Sequence, residues 1–129
     1  MSNTTYLDNA IMNAMHGKAT FPAVTNLYVG LSTTTPTAAG GNVTEPTGGS
    51  YTRVTVPSSS FGSASAGSIT NTATVSFPAA TASWGAITYV VVYDAASAGN
   101  LLWYVPYSQT VPSGITVQFA VGTMTSTMS

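Results

Sequence analysis

Apolar residues along this chain follow two periods. Leu7, Ile11, Ala14 and Met15 recur at i, i+4, i+7 and i+8 within "TTYLDNAIMNAMHGK", the spacing of one helix face. Thr5 and Asp8 resemble a capping box in which Asp replaces the usual Glu. Gly17 suits the left-handed position after a helix, and Lys18 follows the end where the dipole favours a cation. The pattern predicts a helix or arm over residues 2–17, short enough to need a surface to lie on. Beyond it the period shortens to two. "NLYVGLST" sets Leu27, Val29 and Leu31 against Tyr28, Gly30 and Ser32, and "YTRVTVP" alternates in the same way. "GSITNTATVSFP" offers a turn at Asn71 and a strand ending at Phe77.

The most apolar segments come next. "WGAITYVVVYDA" and "NLLWYVPYS" flank "ASAG", a hairpin signature, and are expected to form the two longest strands. After a turn at "VPSG", "ITVQFAVGTMTSTM" places Ile115, Val117, Phe119, Val121 and Thr123 on one face. Residues 33–50, "TTTPTAAGGNVTEPTGGS", carry almost no large apolar side chain and read as one long Thr/Pro/Gly loop. Seven or eight short strands with no helices between them predict a mainly β chain. The expected fold is an antiparallel β-sandwich or a jelly-roll-like barrel with one short N-terminal α-helix, a single domain over residues 1–129.

Charge changes the picture. Charged side chains make up 4% of the 129 residues, against roughly 25% in ordinary soluble domains. They are Asp8, Lys18, Glu45, Arg53 and Asp94, with His16 as the lone histidine and no cysteine. Disulfides and Cys-ligated metal are excluded, and Lys18 with Arg53 cannot neutralise a run of phosphates, so no nucleic-acid partner is expected. "YVVVY" and "LLWYV" are too short to span a bilayer, and "MSNTTYLDNA" lacks the basic and apolar regions of a signal peptide. Synthesis in the cytoplasm without export, and no membrane partner, are the matching expectations.

Little catalytic chemistry is on offer. Asp8 and His16 lie eight residues apart, roughly 12 Å along a helix, too far for a dyad. Asp8, Glu45 and Asp94 fall in a helix, a loop and a hairpin end, without the clustering that glycosidase or metal chemistry needs. Asp94 reads as a turn initiator. No catalytic residue, cofactor or metal is therefore assigned. Trp84, Tyr89, Tyr93, Trp103, Tyr104 and Tyr107 would suit a saccharide if they shared a face, but aromatic cross-strand pairs more commonly stabilise sheets and interfaces. Trp84, Tyr89, Val91, Tyr93, Leu102, Trp103, Val117 and Phe119 are assigned to the core or an oligomer interface. Tyr6, Leu7, Ile11 and Met15, with the loop over residues 33–50, are the candidate partner contacts.

One pattern spans nearly the whole chain. F-P-x-A-x-x-x-W-G-x-I-x-Y from Phe77 to Tyr89, then Asp94, Gly-Asn-Leu-Leu at Gly99 to Leu102, and the closing "SGITVQF" resemble the small virion structural proteins of tailed bacteriophages, labelled head-decoration or tail-fibre-like. The resemblance implies a non-enzymatic component of the phage particle, assembled as a symmetric homo-oligomer, a trimer by analogy. The first expectation is a capsid decoration, or cement, protein that binds the major capsid protein or another virion protein and stabilises the assembled head. A tail or tail-fibre component is the alternative, and a glycan-binding module the third.

Overall fold

The two most apolar runs pair with each other. In the computed structural model, which describes residues 2–127, β6 (Gly85–Tyr93) and β7 (Leu101–Val111) form the long hairpin expected from their sequence. Val90 faces Val105, Val91 faces Tyr104 and Val92 faces Trp103, with register shifts between Ile87 and Tyr89 and between Val92 and Tyr93. β2 (Asn26–Ser32) adds to the other side of β6, β3 (Val54–Pro57) adds to β2, and β1 (Ser2–Asn3) adds to β7. The result is a five-stranded antiparallel sheet in the order β1-β7-β6-β2-β3. Its two edges stay apart, so the sheet is open and the barrel alternative is not realised.

Both faces of this sheet are covered, which explains why "YVVVY" is apolar at every position. Val29, Leu31, Val90 and Val92 point to one face and join Val56, Val75, Phe77, Trp84, Ile87, Val111 and Val117 in the main core. Two short antiparallel pairs lie on that side. They are β4 (Ser68–Thr70) with β9 (Thr125–Thr127), and β5 (Val75–Ser76) with β8 (Gln118–Phe119). The arrangement is mainly β and sandwich-like. On the opposite face Val91, Tyr93 and Leu101 pack with Tyr28, Val43 and Tyr104. Val43 belongs to the long loop, so loop rather than strand covers this side.

That loop has no regular secondary structure, yet its backbone is hydrogen-bonded. Ser32 Oγ accepts from the amides of Thr34 and Thr44, each at 3.2 Å, and Thr34 Oγ1 donates to Asn42 O at 2.7 Å. Asn42 Nδ2 donates to Thr35 O at 2.8 Å, and Ala38 O accepts the amide of Thr5. Short polar side chains supply the partners that a ladder would otherwise provide. This is one structural use of a composition rich in threonine.

Three sequence expectations are corrected. α1 (Thr5–Met15) is the expected helix, but its N-cap is Thr4, whose Oγ1 accepts from Leu7 N at 3.4 Å. The cap is also buried, because the same hydroxyl donates to Leu101 O at 2.6 Å and so fastens the helix to β7. Tertiary bonding, not the Thr5/Asp8 spacing, chose the start. Met15 leaves the apolar face at 77% exposed, while Leu7 is buried and Ile11 half-buried. The strand expected from Ile115 onward breaks into β8 and β9 with a turn at Gly122, φ +82°; its last residue, Met128, lies outside the described residues. Ile115 and Val121 are accordingly exposed.

Asn71 explains the break. Its side chain is 1% exposed and uses its full capacity: Nδ2 donates to Ala73 O and Ala120 O, while Oδ1 accepts from Gly122 N and Met124 N, all at 2.9–3.1 Å. Asn71→Ala leaves these buried groups without partners. It should lower the unfolding free energy by about 3 kcal/mol in urea titration, whereas exposed Thr72→Ala should stay within about 0.5 kcal/mol. Equal effects of the two changes would refute the role given to Asn71.

Candidate functional site

The ionisable groups are the natural place to look for chemistry, and most are engaged in holding the backbone. Arg53, at the entry to β3, donates through Nε and Nη2 to the Glu45 carboxylate at 3.0 and 2.8 Å. Its Nη1 donates to Ala95 O and Ala98 O, at 2.9 and 2.8 Å, in the turn of the β6–β7 hairpin. The guanidinium carbon lies 3.6 Å from the Tyr93 ring centroid. Tyr51 OH donates to Glu45 Oε1 at 2.6 Å and accepts from Leu31 N at 2.9 Å, satisfying β2 where β3 has left its edge. Gly30 makes this approach possible, because a Cβ there would lie 2.7 Å from Glu45 Oε1.

The electrostatics follow from this packing. Burial pushes the Tyr51 hydroxyl well above its ordinary range, and its bond to the Glu45 carboxylate adds to the shift. Burial opposes the Arg53 charge, but the hydrogen bonds and charge of Glu45 outweigh it and raise the guanidinium further. Burial also raises Tyr93, with the Arg53 charge acting against it. Elsewhere, Asp94 acts as the expected turn residue: Oδ1 accepts from Asn100 N at 2.7 Å and Oδ2 from Asn100 Nδ2 at 3.0 Å. His16 caps the end of α1, with Nδ1 2.8 Å from Met12 O. Among the described residues no group of three His, Cys, Asp or Glu is placed to hold a metal. No helix among them is long and apolar enough to cross a membrane.

The concave surface is apolar. Cavities of ≈ 300 and ≈ 280 Å³ lie between the main sheet face and the β4–β9 pair, and both are bordered by Leu27, Phe61, Trp103 and Ser126. A third, of ≈ 110 Å³, separates Leu7 and Ala10 of α1 from Phe21, Pro22 and Val24, and Trp103 borders this one too. No charged side chain lines the first two. The larger continues into the core through Tyr107 and Phe119, whose rings meet at 5.2 Å and 61°.

Residues singled out from sequence divide accordingly. Trp84, Val91, Tyr93, Leu102 and Val117 are buried within the chain, and Tyr89, Trp103 and Phe119 are half-buried. The aromatic residues do not form one platform. Trp84 sits inside the core with Nε1 bonded to Gly49 O at 2.9 Å, Tyr93 lies under Arg53, and Trp103 points to the face opposite Tyr89 and Tyr104. Of the candidate contacts, Leu7 is enclosed, Ile11 faces inward in part, and Tyr6 and Met15 are exposed. Sequence reading missed the joint arrangement of Glu45, Tyr51 and Arg53, the anchoring by Asn71, and Phe61. Phe61 did leave a signal, as a lone aromatic within the polar run "SSSFGSASAG".

A model of the family described as Podophage GP4 fiber I protein gp80 matches residues 2–127. The chain belongs to this family, and it is a bacteriophage virion structural protein of tail-fibre-like type. No curated protein matches it.

Two measurements test the Arg53 arrangement. Arg53→Lys retains a cation but cannot reach the carboxylate and both carbonyls together, so it should lose about 2 kcal/mol in chemical denaturation, and Arg53→Ala about 3 kcal/mol. A lysine variant as stable as the wild type would show that charge alone suffices. Because the folded state raises the pKa of Tyr51 and Tyr93, their stabilisation is complete below about pH 10 and is lost as pH rises through the folded values. The thermal midpoint should fall between about pH 9 and about pH 11, less steeply in Tyr51→Phe. An unchanged slope in that variant would remove Tyr51 as the cause.

Proposed function

We propose that this fibre-family chain is a non-enzymatic structural component of the phage tail fibre, acting by packing against other protein. The observation that carries this reading is the family match over residues 2–127. The fibre description favours the tail over the head, so cement binding to the capsid becomes the second choice. The geometry supports a packing role. A nucleophile–base pair needs a titratable group free to exchange a proton at a cleft, whereas Glu45 and Arg53 bind each other and Asp94 closes a turn. The clefts themselves are lined mainly by apolar and hydroxyl side chains, with Asn26 at the second and Asp94 beside the smallest. Such surfaces exclude water against a partner. A glycan-binding role finds less support, because the rings lie on separate faces and several are enclosed.

Imaging the intact particle at side-chain resolution tests the assignment. The aromatic hairpin should be found in density along the tail fibres. Density at regular lattice positions on the head would overturn this reading in favour of decoration.

A further inference from the structure

β7 is paired along one side only. β6 runs beside nearly all of it, whereas β1 covers just Trp103 and Tyr104 on the other side. Thr4 continues that cover by bonding Leu101 O and Leu102 O. From Val105 to Thr110, no backbone group is bonded to anything other than β6 among the described residues. Strand alternation persists there, with Pro106, Ser108 and Thr110 exposed and Tyr107 and Gln109 half-buried. A strand edge presents a row of amides and carbonyls whose spacing another extended backbone matches. One proline and one register shift disfavour pairing locally, but no charged side chain guards this edge. The opposite edge is better protected, for β3 is short and ends in Pro57.

A cavity adjoins the same edge. The space of ≈ 300 Å³ is bordered by Val105, Pro106 and Tyr107 of β7 and by Phe119, Thr123 and Met124 of the opposite layer. Protein interiors pack with few voids larger than a water molecule, so a space of this size beside a free strand marks where one more element completes the sandwich. Alternate side chains of an added strand point to opposite faces. One apolar residue would enter the cavity while its neighbours lie beside Ser108 and Thr110. Edge pairing supplies affinity in such strand addition, and the cavity supplies selectivity. A folded second copy is a poor donor. The core-side residues of its strands are already enclosed, as Val29, Val90 and Val92 are, and its Tyr107 already meets its own Phe119. The donor must instead be an extended segment whose apolar side chains are free.

We propose that the free edge of β7 and the adjoining cavity accept an extended arm of a different virion protein, which adds a strand to the sheet and places an apolar side chain between Tyr107 and Thr123. This names the kind of partner for the packing role proposed above and rests on that reading, but it does not depend on the position of the chain in the particle.

Hydrogen exchange read by mass spectrometry, on the isolated chain and on intact particles, tests it. In the isolated chain the amides of Tyr107–Thr110 that do not face β6 should exchange close to the rate of a free peptide, while Val90–Val92 stay protected. In particles the same edge amides should exchange at least about 100-fold more slowly. Equal rates in the two samples would overturn the proposal. Slow exchange already present in the isolated chain at micromolar concentration would overturn it too, because the chain or its copies would then cover the edge. Ser126 borders the cavity from β9, and Ser126→Phe fills that space from within. The variant should keep its thermal midpoint and enter particles about tenfold less well; undiminished entry of the folded variant would refute the role of the cavity. The exchange comparison uses the wild type, so it decides the matter whether or not the variant folds. Edge protection in a chain located on the head would preserve this inference and refute the tail assignment. A tail-fibre chain with a free edge would do the reverse.

Discussion

Arg53 joins the start of β3, the long loop and the end of the β6–β7 hairpin, three pieces with no ladder directly between them. Its fork meets the Glu45 carboxylate from the long loop, two carbonyls from the β6–β7 turn, and the face of Tyr93 at the end of β6. A guanidinium can do this because its donors are rigid and spread in a plane, while its flat face tolerates an aromatic ring. Breaking a partly buried pair costs more than the pair contributes, since a charge is left without compensation. The loop, the start of β3 and the hairpin turn therefore share one anchor. Gly30 is part of the same constraint, for a side chain there would displace Glu45 and Tyr51.

The rest of the polar interior follows a similar logic with neutral groups. Thr4, Ser32 and Asn71 are buried polar residues, and each joins segments distant in sequence. Thr4 attaches the helix to β7, Ser32 closes the base of the long loop, and Asn71 holds the turn between β8 and β9. Such side chains desolvate at lower cost than ions, provided every donor and acceptor finds a partner. A chain with 4% charged residues can be internally well ordered by this means.

This economy shapes what the surface offers. With Glu45, Arg53 and Asp94 engaged in loops, few ions remain to solvate the exterior or to perform chemistry. Threonine and serine hydrate much of it, while Met12, Met15, Phe21 and Val24 leave apolar area uncovered. A fibre-family protein is well served by that balance. Packing against a neighbour then removes apolar area from water without stripping charges.

Much of the fold could be read along the chain. Period-two alternation located β2, and two apolar runs on either side of "ASAG" located the β6–β7 hairpin. The period of α1 and the emptiness of residues 33–50 were equally plain, because each is a local property of neighbouring side chains. The candidate site was less legible. Leu7 and Met15 looked equivalent by spacing, yet one is enclosed and the other exposed, since only packing on β7 decides which part of a helix face is covered. Alternation from Ile115 predicted a continuous strand, which Asn71, more than forty residues earlier, interrupts by capturing Gly122 and Met124. Local periodicity, turns and composition were thus determined by the sequence alone. The Arg53 anchor, the Trp103 groove and the division of the aromatic residues between two faces were decided by tertiary structure, because each needs groups far apart in sequence to meet, and no local pattern records that distance.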